Sequence, residues 1–163
     1  MTLTVERLKE LLAYDATTGE FHWIDDRGNN RMKGKRAGTV NSRGYRVIEI
    51  DSKAHREHRL AWLYVTGNWP EHELDHRDLN KLNNRFDNLR PATRSQNTSN
   101  KPVQKNSKTG VRGVNRRENG KFRAYVGVHG KRINVGQYDT IEEAQAAYVA
   151  AAREYHGEFA RVE

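Results

Sequence analysis

There is no cysteine anywhere in the 163 residues. That single absence removes disulfides, thiolate zinc sites and cysteine nucleophiles together. A metal, if bound, must be held by His, Asp, Glu, Asn or water, a donor set that favours Mg²⁺, Mn²⁺ or another hard divalent ion. Long apolar runs are missing too. No segment approaches membrane-spanning length, and the opening Met1-Thr2-Leu3-Thr4-Val5-Glu6 lacks a signal-peptide pattern, so a cytoplasmic, nucleoid-associated protein with no membrane partner is expected. Apolar residues make up 35% of the chain and the mean hydropathy is −1.01. This is too little apolar material for one large core, and two small sheet-and-helix units fit better.

What the chain does have is positive charge. Twenty-nine Lys and Arg against 21 Asp and Glu give a net charge of +8, spread along both halves, which suits a polyanionic partner. Basic charge alone is shared with ribosomal and membrane-surface proteins. Function must therefore come from motifs.

Val5, Leu8, Leu11 and Leu12 recur at helical spacing behind Thr4, a candidate N-cap. Thr17-Thr18-Gly19 reads as a turn into a strand around Phe21-His22-Trp23. Residues 27–38 form a glycine-punctuated basic loop with Arg27, Arg31, Lys33, Lys35 and Arg36. It is either solvated or a phosphate-contacting arm. Tyr45 to Ile50 reads as a strand, and His58 to Thr66 as an apolar helix stopped by Gly67 and Pro70. The polar stretch 98–109 is the linker candidate. Beyond it, turns at Glu118-Asn119-Gly120 and His129-Gly130 separate three short strands, and Thr140-Ile141-Glu142-Glu143 is a capping box for a helix ended by Gly157.

The chemistry concentrates in 73–97. Asp75-His76, then Asn83-Asn84-Arg85, then Asn88-Leu89-Arg90, then Thr93-Arg94-Ser95-Gln96-Asn97 follow one another there. Phosphodiester hydrolysis needs a base to activate water and a cation to neutralise developing charge. Neutral imidazole at His76 can be that base at cellular pH. Adjacent strand residues face opposite ways, so Asp75 is placed for a different task from His76. Thr93 to Gln96 is a further capping box, which puts Asn97 in the first turn of a helix, where its amide oxygen is a reasonable neutral ligand for a hard ion.

This constellation, covering about 58–100, resembles the HNH nuclease family, in the phage and intron-homing branch whose third motif position is Asn. The resemblance implies a ββα-metal core that cuts double-stranded DNA with a divalent ion and leaves 5′-phosphate and 3′-hydroxyl ends. It makes Asp75 and Asn97 the metal ligands and His76 the general base. It gives Asn88 the task of bracing the loop and orienting the His, and Arg85 and Asn84 that of shaping the loop or touching phosphate. His58 matches an upstream His that is structural or phosphate-facing. Phage or mobile-element origin, and hence the host cytoplasm, follows from the same branch.

Val111-Arg112-Gly113-Val114, Gly120-Lys121-Phe122 and Val135-Gly136-Gln137-Tyr138, continuing through the capped helix, look like the plant ethylene-response (APETALA-type) DNA-binding domain. In that fold three strands lie in the major groove, backed by one helix. Arg112, Arg117 and Arg132 match base- or phosphate-contacting arginines. Asn115, Asn119, Tyr125, Gly127 and Asn134 stand where plant members usually have other residues, and Arg123 shares the face of Tyr125. The expectation is an α+β chain: a nuclease domain at 1–100 with an N-terminal extension, a linker at 101–109, and at 110–163 a three-stranded antiparallel sheet packed on one helix. DNA contacts are expected from Arg112, Arg117, Arg123, Tyr125, Arg132 and Asn134. No heptad repeat suggests an oligomer, so a monomer or weak dimer is expected. The rival readings are a non-catalytic DNA-binding regulator on an HNH scaffold, and a nonspecific or RNA-directed nuclease.

Overall fold

The computed structural model describes residues 2–24, 33–99, 103, 107–128 and 130–160. Arg27 and Arg31 of the basic loop, His129 of the second turn and most of the linker lie outside these residues. The chain divides into two compact units, Met1–Ala92 and Thr93–Glu163.

In the first unit, Thr4 caps helix α1 (Val5–Leu11) by accepting from the Arg7 N–H, as its position predicts. The helix stops one residue before its apolar pattern does. Leu12 is already extended and opens β1 (Leu12–Asp15), which pairs antiparallel with β2 (Glu20–Trp23). The strand β4 (Arg46–Ile50) is flanked by β3 (Thr39–Val40) and β5 (Lys53–Arg56), neither of which the alternation reveals. Helix α2 (Glu57–Thr66) follows β5 without a gap and ends at Gly67 in the left-handed region, φ 77°. Leu8, Leu11, Leu12, Phe21, Trp23, Ile48, Ile50, Leu60, Leu63 and Leu89 make a single buried cluster. A hairpin of β6 (Glu73–His76) and β7 (Leu89–Ala92) completes the unit.

Helix α3 (Arg94–Ser99) follows that hairpin, giving the ββα order in sequence. Its capping box is formed: Gln96 N–H donates to Thr93 Oγ1 at 3.3 Å, and Thr93 N–H to Gln96 Oε1 at 2.8 Å. In the division into compact units, α3 groups with the second.

The second unit has the sheet β8 (Val114–Arg116), β9 (Phe122–Val128) and β10 (Lys131–Tyr138), with β9 in the centre and all pairs antiparallel. Helix α4 (Ile141–His156), opened by the Thr140 capping box, packs on one face. Val114, Ala124, Val126, Ala144, Tyr148, Ala151 and Ala152 are the core. Small residues let the helix lie close to the strands, and Gly113 is required for it. A Cβ there would meet the Tyr148 ring at 2.3 Å, and φ is 66°.

Candidate active site

The site is built on the hairpin β6–β7 and on the loop between its strands. Strand alternation turns Asp75 and His76 to opposite sides, and both are buried. Asp75 lies across from Arg90 in the antiparallel register. Arg90 Nε and Nη2 both donate to Asp75 Oδ2 at 2.9 Å. The pair is nine-tenths removed from solvent on each side.

His76 faces the loop and α2. Its Nε2 lies 3.1 Å from Asn84 Oδ1, and its ring meets the edge of His58 at 5.2 Å between centroids. Asn84 is wholly buried. Its Nδ2 donates to Glu57 Oε2 at 2.5 Å and more loosely to the Leu82 carbonyl at 3.4 Å. With both acceptors on the nitrogen side, the amide oxygen is the atom that faces His76. An amide oxygen can only accept, so Nε2 carries the ring proton and Nδ1 holds the lone pair.

The backbone at Asn84 is fixed as well. Tyr14 Oη donates to the Asn84 carbonyl at 2.9 Å. The β1–β2 turn approaches so closely that a Cβ on Gly19 would lie 2.3 Å from Arg85 N. The N-terminal extension thus serves the site, since it grips the residue that grips His76.

Burial, the largest cause, holds the His76 imidazole below its ordinary pKa, with the Asn84 hydrogen bond pulling the other way. The ring is neutral at cellular pH, as a general base must be. His58 is pushed down to about 3, by burial first and then by the charges of His76, Arg56 and Arg59. It is neutral and packed under His76, so it is not a cation for phosphate. Glu57 moves the opposite way. Burial raises it to about 7, against the lowering effect of Arg36 and Arg46, whose guanidinium nitrogens stand 3.9 and 4.0 Å from Oε2.

Asn88 braces the loop. Its Nδ2 donates to Asp78 Oδ1 at 2.9 Å and to the Asn83 carbonyl at 2.8 Å, and its Oδ1 accepts from Asp78 N–H. The amide that meets the His76 ring is Asn84, where the resemblance gives the orienting task to Asn88. Arg85 forms an exposed ion pair with Asp87 at 3.1 Å. Arg36 of the basic loop is bound to Glu20 and stands beside Glu57, so this arginine is committed inside the unit.

Three residues have no role in the motif reading. Tyr45 lies beside both His58 and His76, and its ring carries two exposed cations: Arg56 at 4.9 Å and Lys81 at 4.7 Å from the centroid. Neither cation meets a carboxylate among the described residues. Arg90 stands inside the motif, in Asn88-Leu89-Arg90, with no role of its own there, and Glu57 lies outside it. Pairing the hairpin on paper from Asp75 would have found Arg90. Glu57 reads from sequence as an ordinary acid in the first turn of a helix.

Among the described residues, no three His, Cys, Asp or Glu side chains gather as a metal cluster. Asp75, the carboxylate that the resemblance makes a ligand, stands in the first unit. Asn97, the amide the resemblance pairs with it, lies on α3 in the second. Carboxylate and amide oxygens without thiolate fit a hard cation that keeps most of its shell for water and phosphate.

On the second unit, Arg117, Arg123, Tyr125, Arg132 and Asn134 line one open groove together with Asn115. Arg123 Nε donates to Asn134 Oδ1 at 2.8 Å, and the Arg132 guanidinium lies 4.9 Å from the Tyr125 ring centroid. Arg112 is elsewhere, as the hydrogen-bond partner of the Tyr148 hydroxyl.

Residues 55–99 match the HNH endonuclease family. Protein 3.8 of Escherichia phage T7 is 35% identical over 111 residues, which are 67% of this chain and 91% of the phage protein. A mimivirus protein (Acanthamoeba polyphaga mimivirus), named uncharacterized HNH endonuclease L560, is 37% identical over 115 residues. These take in 69% of this chain and 59% of that protein. A solved structure of the HNH homing endonuclease I-HmuI, on its DNA binding and cleavage, covers 100% of this chain and 93% of its own, with a TM-score of 0.47 and 20% identity. The family match spans the hairpin, its braced loop and His76, and the phage relative is aligned over nearly its whole length; the chain belongs to the HNH endonuclease family and is an endonuclease of that type.

Proposed function

We propose that the chain is a divalent-metal-dependent endonuclease of double-stranded DNA whose second unit adds affinity and sequence preference. One observation carries this reading. A buried, neutral His76 is held in a single tautomer by Asn84, one strand position from the buried carboxylate of Asp75. His76 Nδ1 takes a proton from the attacking water as the new O–P bond forms. The P–O3′ bond breaks, leaving a 5′-phosphate; the departing oxygen takes a proton from solvent to become a 3′-hydroxyl, and His76 returns its own proton to solvent. Within the first unit, Asp75 would supply the carboxylate ligand that holds the cation. When bound, it neutralises charge on the phosphorane and the leaving oxygen. Arg56 and Lys81 on Tyr45 supply positive charge for the scissile strand beside His76.

A plasmid-nicking assay tests this. Supercoiled DNA is expected to become nicked or linear with Mg²⁺ or Mn²⁺ and to stay intact in EDTA. Cleavage undiminished by EDTA overturns metal dependence, and competition by RNA equal to that by DNA overturns the substrate. Confinement of cuts to few sites, as in a mobile-element or phage enzyme, shows in the same gel once a defined fragment is used.

In the second unit, the DNA contacts are assigned to the groove lined by Arg117, Arg123, Tyr125, Arg132 and Asn134, as the APETALA-type resemblance implies. Arg123 is held by Asn134, and Arg132 lies against Tyr125. Two pre-set guanidinium forks suit the O6 and N7 atoms of guanine. Arg132→Ala is expected to weaken binding to a preferred site by about 1–3 kcal/mol and to relax the preference at one base pair. An equal loss on every sequence, with the salt slope reduced by about one, makes Arg132 a phosphate contact instead.

A further inference from the structure

Burying a carboxylate beside a histidine relay costs free energy that a Gln or Met at the same place would not. Glu57 is such a carboxylate. It is the first residue of α2, fully buried against the hairpin loop, and its guanidinium neighbours Arg36 and Arg46 stand at near-contact distance without a close hydrogen bond. Its short contact is to Asn84 Nδ2, at 2.5 Å.

We propose that Glu57 is a positioning residue of the nuclease: its carboxyl oxygen fixes which way the Asn84 carboxamide faces, and so which ring nitrogen of His76 carries the proton. This rests on the reading of His76 as the general base. A flipped Asn84 would set its own oxygen against the Glu57 oxygen and the Leu82 carbonyl, two acceptors facing an acceptor. It would also present an N–H to His76 Nε2, which would then have to give up its proton to Nδ1. Leu82 alone is a weak guide at 3.4 Å. The Glu57 contact is almost an ångström shorter, so Glu57 decides the orientation. Glu57 touches neither the DNA nor the reacting atoms and acts only through the relay.

The test is ring-nitrogen NMR on the full chain with ¹⁵N-labelled histidine, at mildly alkaline pH, beside steady-state cleavage. Wild type is expected to show His76 protonated at Nε2. Glu57→Met, which removes the acceptor but keeps the bulk, is expected to shift His76 toward the other tautomer. It is also expected to lower kcat roughly 10- to 100-fold with KM little changed. Glu57→Gln keeps an acceptor oxygen and is expected to restore both the tautomer and most of the rate. A wild-type His76 protonated at Nδ1 overturns the proposal, and so does a folded Glu57→Met protein with the wild-type tautomer and kcat. If Glu57→Met does not fold, the wild-type Asn84 side-chain amide decides. One N–H shifted downfield and protected from exchange supports the contact, and an amide exchanging as in solvent overturns it. The general-base reading fails separately, through cleavage that survives loss of His76, and that result leaves the tautomer measurement standing.

Discussion

Replacing His76 by alanine is expected to slow cleavage by roughly 10²- to 10⁴-fold while leaving DNA binding nearly unchanged, the range a general base contributes. The size follows from the surroundings. The ring is buried and neutral, and Asn84 directs its proton to Nε2. The second histidine in van der Waals reach, His58, is held to a pKa of about 3 by burial. His58 is neutral as well, but it is packed inside the unit and cannot take over at the phosphate. Alanine also leaves a cavity and an unpartnered Asn84 oxygen, so some loss would come from damage to the fold. His76→Gln separates the two effects. The glutamine amide can still donate to Asn84 Oδ1, but it has no basic nitrogen. It is expected to melt close to wild type and to cleave as poorly as the alanine protein. A His76→Gln enzyme within a few-fold of the wild-type rate at saturating metal would remove His76 from the chemistry.

The parts of this site that were legible in the sequence are those set by local rules. Thr4, Thr93 and Thr140 announced helix starts because a cap is a contact between residues three apart. The alternation of Ala124 and Val126 with Arg123 and Tyr125 gave the inner and outer faces of β9, and five of the six expected DNA-contact residues line one groove as a result. Long-range partners were the opaque part. Leu12 continues a helical apolar pattern but is extended, since pairing with Trp23 outweighs one more turn of a short helix. The hydrogen bond between Arg112 and the Tyr148 hydroxyl on α4 is such a partnership, and no local pattern announces it. Asn84 and Asn88 are four residues apart in one loop, with the same side chain. Only the fold shows that Glu57, 27 positions upstream, turns the first toward His76, and that Asp78 engages the second.

Arg90→Leu carries the largest expected effect on stability, a loss of about 3–5 kcal/mol in EDTA, because it takes the guanidinium away from a buried carboxylate. Arg90 and Asp75 are register partners in the hairpin, each more than nine-tenths buried, with two donors on a single oxygen. Leucine fills the space but offers no charge. Urea unfolding of the single variants, Asp75→Asn, Arg90→Leu and the double variant, gives the coupling directly. The double variant is expected to be more stable than Arg90→Leu alone, since the buried carboxylate is then gone as well. The same residues connect stability to chemistry. Asp75 is also the carboxylate proposed to hold the divalent ion, so in Arg90→Leu the cation replaces the missing guanidinium. Mg²⁺ at about a hundred times its dissociation constant is then expected to return roughly 2.7 kcal/mol to the variant. The Asp75→Asn protein should gain little. Stability of Arg90→Leu equal to wild type in EDTA would show that the ion pair holds nothing together. Absence of a Mg²⁺ response in a destabilised Arg90→Leu would take Asp75 out of the metal site. If both responses are seen, the guanidinium and the metal compete for one carboxylate, and Arg90 is what keeps the hairpin folded while no metal is bound.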